Sequence, residues 1–192
     1  MLLRNRPPQI ETAPAPASGG FEHLPQSSIA VVRWLSANRV DYVLVGPLAR
    51  AIRGDGSASG PVAIVPAPYG RNLDRLARAL SSAHARLRVA DRPAAAGIAS
   101  SGQPVKLSAE KLLSGQRWML RCGAHDLDIE GYGPGAPRYQ ELLYEASRFE
   151  LAAELRVEVA APEDIEHFDH VRRTGSAPEI RIARAARDPG LT

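Results

Sequence analysis

The run Val40-Asp41-Tyr42-Val43-Leu44-Val45 ends abruptly at Gly46-Pro47, and this junction constrains the fold more than any other stretch of the chain. β-Branched and aromatic residues suit an extended, half-buried backbone. Glycine admits the turn conformations closed to other residues, and proline, with its fixed φ and missing N–H, suits the first position of a helix. The junction therefore reads as a strand feeding a short helix over Leu48 to Arg53. After the polar tract Gly54-Asp55-Gly56-Ser57-Ala58-Ser59-Gly60 comes a second apolar run, Val62-Ala63-Ile64-Val65, closed by Pro66 and Pro68. A run of that length with no polar residue is a strand covered on both faces. Strands alternating with helices place the chain in the α/β (α+β) class, a mixed sheet flanked by helices in a single domain.

The remaining elements follow from periodicity. Ser27 or Ser28 is placed to cap a helix reaching about Asn38, with Ile29, Val32, Leu35 and Trp34 as its buried stripe. Residues 72–83 place Leu73, Leu76, Ala77 and Leu80 on one face and Arg71, Arg75 and Arg78 outside, an amphipathic helix. Residues 91–104, rich in Ala, Gly, Ser and Pro, read as a loop. Strands near 118–121 and 126–130 pair through Gly123-Ala124 as a hairpin. A helix over 137–146 follows, then two edge strands at 149–151 and 155–159. Pro162 opens a last helix, with Glu163 and Asp164 in its first turn and Arg172 and Arg173 in its last, matching the helix dipole at both ends.

A chain of 192 residues fits one core with tails. Residues 1–24 carry Pro7, Pro8, Pro14 and Pro16 and read as a disordered leader, residues 25–182 as the domain, and residues 183–192 as a C-terminal tail. Of the 24 basic residues all but Lys106 and Lys111 are arginine. Together with the Ala, Gly and Pro excess, that bias is what a GC-rich genome produces, so a net charge of +3 permits RNA contact without arguing for it. One cysteine, Cys122, excludes an intramolecular disulfide and a cysteine-based zinc site. With no secretory signal and no window of about 18 apolar residues, the expectation is a cytoplasmic protein without a membrane segment.

The succession of helix, Val40 to Gly46, short helix, second strand, amphipathic helix, hairpin and Val157-Glu158-Val159-Ala160-Ala161-Pro162-Glu163-Asp164-Ile165 resembles the minimal nucleotidyltransferase superfamily. Within it the chain is most similar to the bacterial AbiEii-like, toxin-type members, from about residue 25 to about residue 175. The resemblance implies a Gly-Gly or Gly-Ser turn whose backbone amides receive nucleotide phosphates, as unpaired N–H groups at a helix start favour anions. Gly46 and Pro47 stand at that turn, with Arg53 near it as a nucleotide- or anion-binding candidate. It also implies an Asp-x-Asp pair on the second strand and a third carboxylate from a later strand, together holding two magnesium ions. Here Pro61 and Ala63 fall where the pair belongs, and neither offers a cation a side-chain oxygen. Asp128 matches the third acid, and Asp126 shares its side of the strand because alternate residues face the same way. The resemblance further implies a Lys or Arg on the last helix near the nucleotide, for which Arg172 and Arg173 are the candidates.

Two carboxylates from one strand make a poor two-magnesium site, since both the attacking and the leaving oxygen need charge neutralised. The leading expectation is a catalytically degenerate nucleotidyltransferase-fold protein, a pseudoenzyme in a toxin–antitoxin-like setting. It would need no metal or other cofactor and would act through a protein partner or self-association, with a nucleotide as a candidate ligand. One alternative is an active magnesium-dependent nucleotidyltransferase of toxin or antibiotic-modifying type, using Asp126, Asp128 and Asp55. Another is an RNA-binding accessory protein. Asp55 sits in a Gly-Asp-Gly bend, the usual form of a surface turn, and would have to swing toward Gly46 to serve that alternative; His125 points away from its neighbour Asp126, and His167 with His170 lacks a third ligand, so neither adds a metal site.

Overall fold

A computed structural model describes residues 20–88, 103–131 and 135–174 of the chain. Its centre is the antiparallel pair β1 (Tyr42–Val45) and β2 (Val62–Pro66), with Val43 opposite Val65 and Val45 opposite Ala63. Every residue of β2 is buried, and Val43, Leu44 and Val45 are fully so. The helix α2 (Gly46–Ile52) begins at the glycine that ends β1, with Pro47 in its first turn, as the junction requires.

The other elements in chain order are α1 (Gln26–Ala37), α3 (Gly70–Ser82), β3 (Arg86–Leu87), α4 (Ala109–Leu113), β4 (Trp118–Cys122) and β5 (His125–Ile129). They are followed by α5 (Tyr139–Glu145), β6 (Ser147–Ala152), β7 (Leu155–Val159) and α6 (Pro162–Thr174). The strands form one mixed sheet in the order β3-β4-β5-β2-β1-β7-β6. β5 runs parallel to β2, and β7 runs parallel to β1. Helix α1 lies against β2, β5 and β7, while α2 and α6 lie against each other and against β1. The α/β class and the flanking helices are as the alternation of elements requires. Among the described residues no helix is long and apolar enough to cross a membrane.

Several local expectations change. Helix α1 starts directly after Pro25, so Ser28 is buried in its first turn instead of capping it, and no side chain caps that end. Of the two expected edge strands only β6 is at an edge; β7 lies between β1 and β6, with Leu155, Val157 and Val159 in the core. Its alternation reflects one face covered by helix and one row of charges, a pattern that interior and edge strands share. The two-residue β3 and the five-residue α4 are too short to leave a periodicity. The expected tail lies outside the described residues, as do most of the leader and of the 91–104 loop.

One polar residue joins the layers. Asn72, buried in the first turn of α3, accepts a hydrogen bond from the Asp41 N–H at 2.8 Å through Oδ1. Its Nδ2 donates to the carbonyls of Asp41 at 2.8 Å and Ala67 at 3.0 Å. The side chain thus satisfies the Asp41 N–H and the Ala67 carbonyl, and adds a second donor to the Asp41 carbonyl, which also accepts from the Ala67 N–H at 2.9 Å. Asn72→Ala is expected to remove that partner from the Asp41 N–H and the Ala67 carbonyl and to lower stability by about 2–3 kcal/mol, read from the urea midpoint; a loss below about 0.5 kcal/mol would contradict this role.

Candidate functional site

The residues singled out from sequence converge on one side of β5. Strand pairing sets Asp128 directly opposite Ala63 of β2 and Met119 of β4, and Asp126 opposite Arg121. Because alternate residues share a face, Asp126, Asp128 and Glu130 project together, while Leu127 and Ile129 enter the core on the other side with α1. The register puts Ala63 beside Asp128, at the position where the resemblance implies an aspartate. Asp128 is 1% exposed and Glu130 3%.

Burying ionised carboxylates is costly unless they are paired, and here guanidinium groups interleave with them. Arg121 grips Asp126 through two bonds, at 2.9 and 3.2 Å. Arg88, just after β3, bridges Asp126 at 3.1 Å and Asp128 Oδ1 at 2.6 Å. Arg117, just before β4, bridges Asp128 Oδ2 at 3.0 Å and Glu130 Oε2 at 3.3 Å. From α6, Arg172 reaches Glu130 Oε1 with Nε at 2.8 Å and Nη2 at 2.6 Å, and also meets Asp169 at 3.2 Å. Arg50 of α2 pairs with Asp169 and lies 3.8 Å from Asp55. Five arginines and five acids therefore form one continuous ladder with no net charge. Partial burial would raise the Asp126 carboxyl, but hydrogen bonds from Arg121 and Arg88 and their charges outweigh it and hold the group below the ordinary carboxylate range.

Two glycines let the ladder close. Gly46 has φ +71°, open to glycine at little cost, and a Cβ there would come within 3.0 Å of Nη1, Nη2 and Cζ of Arg172. The guanidinium of Arg172 thus lies over the turn where the resemblance places nucleotide phosphates. Gly131 admits the backbone of residues 115–117 against it, which brings Arg117 to Glu130; a Cβ at Gly131 would strike the Gly115 carbonyl.

The other candidates fall elsewhere. Arg53, at the end of α2, donates to the carbonyls of Ala160 at 2.6 Å and Val159 at 3.1 Å and to the Ser147 hydroxyl at 3.2 Å. Its guanidinium also covers the Phe149 ring, 5.7 Å from the centroid. Burial lowers its pKa, with the charge of Glu163 acting the other way. Arg53 thus ties α2 to β6 and β7. Asp55 is exposed and meets only the outer end of the ladder. Cys122 is half-buried, and burial, then Asp126, pushes its thiol up to about 11, far from a reactive thiolate.

The residues do not fit the two magnesium ions that the resemblance implies. Both oxygens of Asp128 accept from guanidinium groups, Ala63 supplies no ligand, and no group of three His, Cys, Asp or Glu among the described residues is placed to hold a metal. Compared with known proteins, the chain matches no family model and no curated protein. Sequence reasoning found Asp126 and Asp128 but missed Glu130, Arg88 and Arg117. The alternation Asp126-Leu127-Asp128-Ile129-Glu130 was the available signal for Glu130; the arginines come from distant loops.

Removing a partner from a buried pair strands a charge, whereas a solvated pair contributes little. Asp128→Ala is expected to cost about 3–5 kcal/mol in urea denaturation, and Arg121→Ala, whose side chain is 56% exposed, under about 1 kcal/mol. Equal effects would contradict a ladder graded by burial.

Proposed function

We propose that this chain is a nucleotidyltransferase-like scaffold without metal catalysis, acting as a binding or regulatory partner of another protein. The observation that carries this reading is the pairing of Asp128, the one acid at a position the family uses, with Arg88 on one oxygen and Arg117 on the other. A divalent ion bound there would have to displace both guanidiniums and leave them without partners in a partly buried site, at a cost of several kcal/mol. The family likeness itself is supported by the β1–Gly46–α2 junction, the antiparallel β1–β2 pair and the parallel β2–β5 pair that sets Ala63 against Asp128.

An open phosphate cradle is disfavoured by the same geometry. Pro47 has no N–H to donate. Arg172 covers Gly46, and Arg53 is engaged by backbone carbonyls. A scaffold whose Asp128 and Gly46 turn are already occupied by arginines suits a protein whose surface, rather than its interior, makes the functional contact. Calorimetry with ATP or GTP is expected to give the same weak heats with and without magnesium, and radiolabelled nucleotides no transfer onto RNA, protein or the chain itself. Magnesium-dependent transfer, lost in Asp128→Asn while the fold survives by circular dichroism, would overturn the proposal.

A further inference from the structure

The seven-stranded sheet has two edges of different character. At one, β3 is a two-residue strand, extended only by an isolated bridge between Arg86 and Pro104. At the other, β6 runs for six residues, and among the described residues nothing pairs with its outer side. An uncovered edge of that length is a template for another strand, and proteins normally blunt it with charge, proline or a bulge. β6 carries charges and a bulge between Glu150 and Ala152, so its regular part is Ser147 to Glu150.

Those charges are arranged to select a partner. On one face Arg148 pairs with Glu158 of β7 at 2.6 Å, and Glu150 lies 3.6 Å from Arg156. Phe149 is on the other face, opposite Val157, packed edge-on against Phe21 at 6.1 Å. A two-fold axis normal to the sheet keeps each face on its own side, so it must pass through a pair of identical residues. Centred on Arg148 or on Glu150, it would set like charges opposite each other, which is destabilising. Centred on Phe149, it sets Arg148 of each copy opposite Glu150 of the other. The charges then alternate across four strands as Glu158, Arg148, Glu150 and Arg156, the last two from the second copy.

We propose that β6 is a self-association surface, pairing antiparallel with β6 of a second copy of this chain about Phe149, so that the sheet continues through fourteen strands. This inference rests on the β6 edge alone and stands apart from the reading of the β5 ladder.

Opposite residues in antiparallel strands have Cα atoms about 4.5–5.5 Å apart, inside the span of a disulfide. With Cys122 replaced by alanine, Phe149→Cys is expected to give a covalent dimer under mild oxidation and Leu151→Cys none, since Leu151 would face Ser147. In sedimentation the wild type is expected to pass from 20.6 kDa toward a dimer as concentration rises. Arg148→Glu is expected to weaken association by about tenfold or more, and reversing the whole row together, Arg148→Glu, Glu150→Arg, Arg156→Glu and Glu158→Arg, to restore it, because this keeps every pair within and between copies opposite in sign. The charge series keeps Phe149 and decides the matter if the cysteine variant does not fold. A wild type that stays monomeric, a fully reversed row as weak as the single variant, or equal cross-linking at 149 and 151 would each overturn the proposal.

Discussion

Three carboxylates set side by side, Asp126 and Asp128 on β5 and Glu130 just past it, are costly to bury without compensation, and the structure around β5 is organised by that constraint. Arginine is suited to the task because its planar fork can serve two acids at once. Arg88 and Arg117 each span neighbouring carboxylates, and Arg172 links Glu130 to Asp169 of its own helix. The ladder thus joins β4, β5, α2 and α6 through charge, where the opposite face of β5 joins α1 through apolar packing.

The same constraint explains features that look functional at first sight. Gly46 occupies the turn that would approach a phosphate, yet the atom group pressed against it is the Arg172 guanidinium. A cation stands where the family likeness leads one to expect an anion held by amides. The basic last turn of α6 looks like dipole compensation, but Arg172 is directed sideways into the ladder, with its side chain 13% exposed. Such a network is weak evidence for stability, because an apolar replacement of equal shape can be as stable, but it fixes how the two helices sit on the sheet.

Much of the architecture was legible from short-range pattern. The apolar runs of β1 and β2, the Gly46-Pro47 junction, the amphipathic α3 and the split of β5 into Leu127 and Ile129 against Asp126 and Asp128 all follow from local spacing. What was not legible depends on contacts distant in sequence. Arg88 and Arg172 meet their acids across about 40 residues, so their role has no local signature. Asn72 sits on the buried side of α3 among leucines, and only the fold shows that it closes the backbone of β1 and β2. The interior position of β7 follows from parallel pairing with β1, a matter of topology that alternation does not encode.

The central claim is that guanidinium groups hold the acids of β5 in place of metal ions. A crystal grown with manganese and a non-hydrolysable nucleotide, measured for anomalous scattering, tests it most directly. The account predicts no anomalous peak on the β5 side of the sheet, with Arg88 and Arg117 nitrogens at about 3 Å from Asp128. A manganese peak bonded to Asp126 and Asp128, with those arginines swung away, would contradict it.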